Sequence, residues 1–506
     1  MVYTKKYRDM LTKSVAIVGL FSVLLGCNQS STSPEEKISS NDKKTDVKLE
    51  NCLILVLDTA ASSHMDYTGY FRETTPNIDQ IVAKNGVLFT NAHSQSSTTV
   101  SSTWSYMTSQ YCQGPADTLL GYEVRDWDYT FADAFQDAGF ITGGFSENPY
   151  ITPSLDYDHG FDNFYVYSSL LPPEDPEVKY RKRDHAGTLG LMQNAVHWIQ
   201  GKKEEQWMAY LHILRPHNPF DAPSPLGTQF TKEPIRHMNE ENRSEKNMYV
   251  RWMYYMVSPN DEDMEYYAAA YDGNFLYMDA LVQDFIATLN KTNSLDDTLI
   301  VIMSDHGEGF LEHNRLGHNT TVYEEMVHVP LAFVFPEGAN IEPKNIDGLA
   351  ELVDLFPTLA DAFDLKHPEE THGISLWPAI TGQKKNTGRT TSISMINEAT
   401  NFYIREGDIK LVVWLQGDRK TIKTAELYDL AKDPYEKHDL FTDWKSLGPL
   451  AHKANEHIAQ FASQQFEAME REHDSDIIDD LRALGYLEGK DDEEDDDEKK
   501  KEPPIN

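Results

Sequence analysis

TLIVIMSDHGEGFLEHNRLGHN, residues 298–319, is the stretch from which the fold can be read. Residues 299–303 are all apolar, too few for a helix, and read as a strand buried on both faces, the kind found in parallel sheets. The run breaks at once into Ser304-Asp305-His306-Gly307-Glu308. Two potential metal ligands, Asp305 and His306, therefore stand at the carboxyl end of a strand, where open α/β sheets collect their ligands. Gly307 is expected to let the backbone turn sharply there. Taken alone, the same residues read equally well as an ordinary turn with Asp305 as a helix cap. The rest of the chain has to decide.

The pattern recurs near the other end. Residues 52–57 (CLILVL) form a second short apolar run, and Asp58-Thr59 follows it, so a second carboxylate stands at a second strand end. A helical spacing follows at Ile78, Ile81 and Val82, then GVLFTNA at 86–92, then the hydroxyl-rich segment SQSSTTVSST at 94–103. Further on, a helix ending at Gly139 leads to a strand over 141–145, and a helix over 188–200 leads to the buried strand 207–214. The loop Arg215-Pro216-His217-Asn218-Pro219 comes next. Strands alternating with helices imply an α/β fold with a large, mixed, mostly parallel sheet flanked by helices. From about residue 390 the signal changes to closely spaced strands, which implies a small C-terminal antiparallel subdomain.

With 506 residues and 40% hydrophobic content the chain is long enough for a large core, and its formal charge is −37. Such an acidic surface disfavours nucleic acid as a partner. Part of the charge lies in the tail 489–506, which has too little apolar surface to fold alone and reads as disordered. At the other end Lys5, Lys6, Arg8 and Lys13 precede an apolar run over 15–25, which closes in Leu24-Leu25-Gly26-Cys27. The run is short for a membrane span. It resembles a bacterial lipoprotein signal in which Cys27 becomes the lipid-bearing first residue, with ordinary secretion as the alternative. The expected division is a signal peptide at 1–26, a flexible tether at 27–50, a catalytic domain at 51–385, the C-terminal subdomain at 386–488 and the tail. The location implied is the bacterial cell envelope, with the protein held to a membrane by its lipid. Export would also allow Cys52 and Cys112 to pair.

Asp58-Thr59, TTPNID at 74–79, GVLFTNAHSQ at 86–95 and the hydroxyl segment running to Thr108 resemble the sulfatase branch of the alkaline phosphatase superfamily. The resemblance extends through Pro216-His217-Asn218-Pro219, Asp305-His306, Gly317-His318 and the LYDLAKDP turn at 427–434. It implies an alkaline phosphatase-like sheet and one divalent metal ion held by Asp58, Asp305 and His306, with Ca²⁺, Mg²⁺, Mn²⁺ and Zn²⁺ all compatible with the ligand set. Formylglycine sulfatases carry Cys or Ser at the helix start, then Pro two and Arg four residues later. Here those positions are Thr99, Ser101 and Thr103. Threonine cannot yield the aldehyde, so Thr99 is expected to attack directly, with Thr98 as the fallback and simple helix capping as the bland alternative. His217 and His318 are the candidates that assist the leaving alcohol.

His306 and Thr59, where many sulfatases have Asn and a further Asp, lean towards phosphate or phosphonate esters, with sulfate esters as the alternative. A phosphoethanolamine-type transferase and a degenerate, non-catalytic binding lipoprotein are the other readings. The expected partner is a small-molecule, glycan or lipid ester substrate, and the oligomeric state is left open. His212 reads as a satisfied strand histidine, Asp354 as a helix cap, and a second metal on His217 and His318 is disfavoured.

Overall fold

The computed structural model describes residues 49–111, 129–167, 186–231, 261–396 and 401–463, apart from 203 and 419. The leader with Cys27, the tether, Cys112 and the acidic tail lie outside them. Strands β1 (Asn51–Leu57), β2 (Gly86–His93), β3 (Ile141–Ser146), β4 (Asn163–Val166), β5 (Trp207–Ile213) and β6 (Thr298–Met303) come first. A small ribbon, β7 (Gly309–Phe310) with β8 (Leu316–Gly317), is followed by β9 (His328–Val334), β10 (Lys344–Ile346) and β11 (Ala350–Glu351). Among the described residues nine of these strands form one sheet in the order β10-β2-β9-β6-β1-β5-β3-β4, with β11 also on β2. Only β9 runs antiparallel to its neighbours β2 and β6. The sheet is thus mixed and mostly parallel, as the continuous apolar runs require.

Those runs are continuous because each strand feeds two cores. In β1, Cys52, Ile54 and Val56 face one cluster, and Leu53, Leu55 and Leu57 face the other. In β6, Leu299, Val301 and Met303 join the first and Ile300 and Ile302 the second. Side chains alternate across a strand, so a strand covered on both faces needs apolar residues at every position. The second face is covered by α1 (Pro76–Asn85), and the first by α2 (Thr99–Thr108) and α3 (Phe131–Asp137). Helices α4 (Ala186–Gln200) and α5 (Asp261–Asn290) add Leu191, Met192, Phe275 and Met278 to the second face, and α6 (Leu355–Phe363) adds Leu355 and Leu359 to the first.

A separate antiparallel sheet follows, β12 (Thr391–Met395), β13 (Asn401–Glu406), β14 (Ile409–Leu415) and β15 (Ile422–Asp429) in sequence order. Helix α7 (Pro449–Ser463) covers one face, with Leu450, Ala454 and Ile458 against Phe402, Leu411 and Val413. The other face carries Tyr403, Val412 and Tyr428, which pack on Val322, Tyr323, Met326 and Val327 of the large domain. Lys410 is buried at this seam, its Nζ 2.8 Å from Glu324 Oε1 and 2.8 Å from Glu436 Oε1.

Three residues singled out above have these surroundings. Gly307 does not adopt a left-handed turn. Its requirement is space, because a Cβ there would stand 2.1 Å from the Glu325 carbonyl oxygen. Asp354 acts as a cap, as expected, on the short 3-10 turn over 352–354 that leads into α6 and not on α6 itself: its carboxylate accepts from the backbone N–H of Glu351 in a capping box. It also accepts from the backbone N–H of Ile374 and pairs with Arg389. Cys52 is a free, buried thiol in β1.

Candidate metal centre

The parallel strands β1, β3, β5 and β6 end together, and their ends supply the site. Asp58 follows β1, Asn148 lies just beyond β3, His212 is the last residue but one of β5, and Asp305 and His306 follow β6. Thr99 comes from the opposite direction as the first residue of α2. All six are buried. The carboxylates of Asp58 and Asp305 and the ring of His306 offer ligand atoms within 4.8 Å of one another. Thr99 Oγ1 lies 3.1 Å from His306 Nε2, a separation that two ligands of one small ion can share.

Each group is turned so that one atom faces inward. Asp305 Oδ1 accepts the backbone N–H of Thr59 at 3.1 Å and of His306 at 2.9 Å. Asp58 Oδ2 accepts from Asn148 Nδ2 at 2.5 Å. The remaining oxygens, Asp305 Oδ2 and Asp58 Oδ1, are buried with no hydrogen-bond partner among the described residues. Orphaned buried carboxylate oxygens are costly unless a cation meets them. His306 Nδ1 donates to the Gly307 carbonyl at 2.9 Å, which leaves the lone pair on Nε2. Burial and the neighbouring Asp305 push the Asp58 carboxyl up. Burial would raise Asp305 too, but the adjoining His306 and His212 and the two backbone donors hold it down. Two carboxylates brought together in this way, with an imidazole lone pair beside them, fit a divalent cation.

Beyond these lie two more imidazoles. The ring of His318 is 4.8 Å from that of His306 and 5.0 Å from that of His217, centroid to centroid. His217 Nδ1 donates to the Asn218 carbonyl at 2.6 Å. His318 Nδ1 faces both oxygens of Glu308 at 3.3 Å. Burial lowers His217, and pushes His318 down to about 4, so both rings are neutral at rest.

The six residues singled out from sequence, Asp58, Thr99, His217, Asp305, His306 and His318, are therefore neighbours in space. Thr98, the fallback, is the residue before α2, and its hydroxyl lies 3.1 Å from Ser96 Oγ without a cap bond. Arg215 turns away to Asn274 and Asp221. His313 pairs with Glu325 at the seam of the two sheets. Sequence reading missed Asn148 and Glu308; His212 is the buried, satisfied strand histidine expected, with Nε2 3.4 Å from Asp58 Oδ2 and Nδ1 2.9 Å from Tyr210 Oη. Glu308 lay inside the quoted stretch, and its signal was its two-residue distance from His306.

The sequence model of the Sulfatase family matches residues 50–365, and that of the N-sulphoglucosamine sulphohydrolase C-terminal region matches 312–464. Among curated proteins the chain is 26% identical over 435 residues to the Delta 4,5-hexuronate-2-O-sulfatase of Bacteroides thetaiotaomicron, covering 78% of this chain and 85% of that one. It is 24% identical over 451 residues to an arylsulfatase of Clostridium perfringens, covering 77% and 90%. Among solved structures, the phosphonate monoester hydrolase of Agrobacterium radiobacter superposes with a TM-score of 0.64 at 20% identity, covering 83% of this chain and 97% of that one. A 2-O GAG sulfatase superposes with a TM-score of 0.64 at 23% identity, covering 83% and 95%. With the family match extending over more than half of its length, the chain belongs to the sulfatase family of the alkaline phosphatase superfamily and is an ester hydrolase of that kind.

Proposed function

We propose that this hydrolase cleaves phosphate or phosphonate esters by double displacement on Thr99, with one divalent metal ion held by Asp58, Asp305 and His306. The observation that carries the reading is the approach of Thr99 Oγ1 to His306 Nε2, 3.1 Å, beside two orphaned carboxylate oxygens. A divalent ion bound there would acidify the Thr99 hydroxyl and neutralise charge on the ester oxygens. Thr99 also opens a helix, whose first N–H groups have no intrahelical acceptor and favour an anionic group.

Thr99 attacks phosphorus in line, the bond to the alcohol breaks, and a threonine ester forms; water then displaces phosphate and restores the hydroxyl. The proton that Thr99 loses on attack is taken up by His217 or His318, neutral at rest, and given to the departing oxygen, so that the alcohol leaves neutral. Glu308 against His318 Nδ1 stabilises that ring while it is charged. The sulfate ester is the second reading, favoured by the relatives named for sulfatase activity. The resemblance of residues 1–26 to a lipoprotein signal, with Cys27 as the lipid-bearing first residue, supports attachment to the cell envelope.

The test is a parallel assay of phosphomonoester, phosphodiester, phosphonate and sulfate esters with added Mn²⁺, Zn²⁺, Mg²⁺ or Ca²⁺. Thr99→Ala should lose more than about a thousandfold in kcat, and Thr99→Ser should retain part of it. Full hydrolysis of every ester by Thr99→Ala would remove Thr99 from the reaction. A wild-type enzyme active on sulfate alone would leave the second reading standing.

A further inference from the structure

His212 has no part in the reaction just described, yet it is fully buried and touches the metal-facing carboxylates. It pairs in register with Val56 of β1, two residues before Asp58. Its Nε2 lies 3.4 Å from Asp58 Oδ2 and 3.8 Å from Asp305 Oδ2. A carboxylate oxygen only accepts, so the proton of the neutral ring belongs on Nε2. Nδ1 must then accept, and Tyr210 Oη stands 2.9 Å from it. Tyr210 Oη, its own proton committed to Nδ1, accepts from Tyr106 Oη at 2.8 Å, and Tyr106 Oη is 3.1 Å from the Thr103 hydroxyl.

Thr103, Tyr106, Tyr210 and His212 are each 0% exposed. A buried hydroxyl without a partner costs free energy, so a run of them is retained only when each member is satisfied. This run begins on α2 at Thr103, the position where the formylglycine motif has arginine, and ends on a metal-facing carboxylate.

We propose that His212 is a positioning residue of the metal centre: together with Asn148 it occupies Oδ2 of Asp58, so that Oδ1 alone is presented to a divalent ion, and Tyr210 fixes the tautomer that allows this. The proposal rests on the reading of Asp58, Asp305 and His306 as ligands. A carboxylate restrained on one oxygen by two donors cannot rotate, and that restraint is what outer donors contribute to metal affinity.

The experiment is a calorimetric titration of metal-stripped protein with Mn²⁺ and with Zn²⁺, the fold of each variant being checked by circular dichroism. His212→Leu should bind 10–100-fold more weakly than wild type, on the order expected when an outer donor is lost. His212→Gln, whose amide nitrogen reaches about as far as Nε2, should recover most of that loss. Tyr210→Phe keeps the ring and removes only the donor, and should fall between. Equal affinity in wild type and His212→Leu, or no recovery in His212→Gln, overturns the proposal. If His212→Leu fails to fold, Tyr210→Phe decides, and wild-type affinity there overturns the relay. Wild-type protein that binds neither ion overturns the metal-centre reading itself, a result distinct from equal binding by all variants.

Discussion

Replacing Glu308 by Gln separates the charge behind His318 from its shape. Gln can still accept from Nδ1, but it does not stabilise a charged ring. Glu308→Gln should lower kcat on an alkyl ester by about 10–100-fold and on a 4-nitrophenyl ester by only a few-fold, because nitrophenolate departs without a proton. Equal losses on both esters would take His318 out of proton transfer. Gly307 offers a purely steric case. With a Cβ only 2.1 Å from the Glu325 oxygen, Gly307→Ala should cost about 3 kcal/mol in urea unfolding, the upper end of ordinary overpacking. Its identity was legible and its reason was not, since the carbonyl that crowds it comes from a separate segment.

Elements show the same division. Runs such as CLILVL and TLIVIM announce strands covered on both faces, and the ligands at their ends follow from where such strands stop. Partners supplied from far along the chain have no such signature. Asp354 was read as a cap without Arg389, and His212 as a satisfied strand histidine without Asp58, because neither partner is near in sequence. The seam between the two sheets was likewise invisible. Lys410→Met, which strands Glu324 and Glu436, should cost roughly 3–5 kcal/mol in denaturant unfolding, the usual price of breaking a buried pair. His313 adds a pH dependence. Burial would lower it, but the hydrogen bond and charge of Glu325 overcome that and raise it to about 9 from 6.5. A raised histidine stabilises fully below its unfolded value. The stability gap between wild type and His313→Gln should therefore be widest below about pH 6.5 and close as pH rises through about 9, read from unfolding curves across that range.

For the molecule as a whole, ion binding and folding are linked. An ion that meets Asp58 Oδ1 and Asp305 Oδ2 only in the native state should add about 2.7 kcal/mol at a hundred times its Kd, and chelation should remove it as a lowered melting temperature. An unchanged melting temperature would mean that the two carboxylates bind no ion tightly. The small sheet matters here as well as the large one. Met395 N of β12 donates to the Gln95 carbonyl at 3.0 Å, and Ile393 N donates to Glu351, which also receives the Gln95 side chain. Gln95 belongs to the loop that delivers Thr99. Every proposed ligand and acid precedes residue 320, yet the loop carrying the nucleophile is braced by residues that leave the ribosome later still. A nascent chain thus holds all the reactive groups well before it holds Glu351, Ile393 and Met395, which brace the loop.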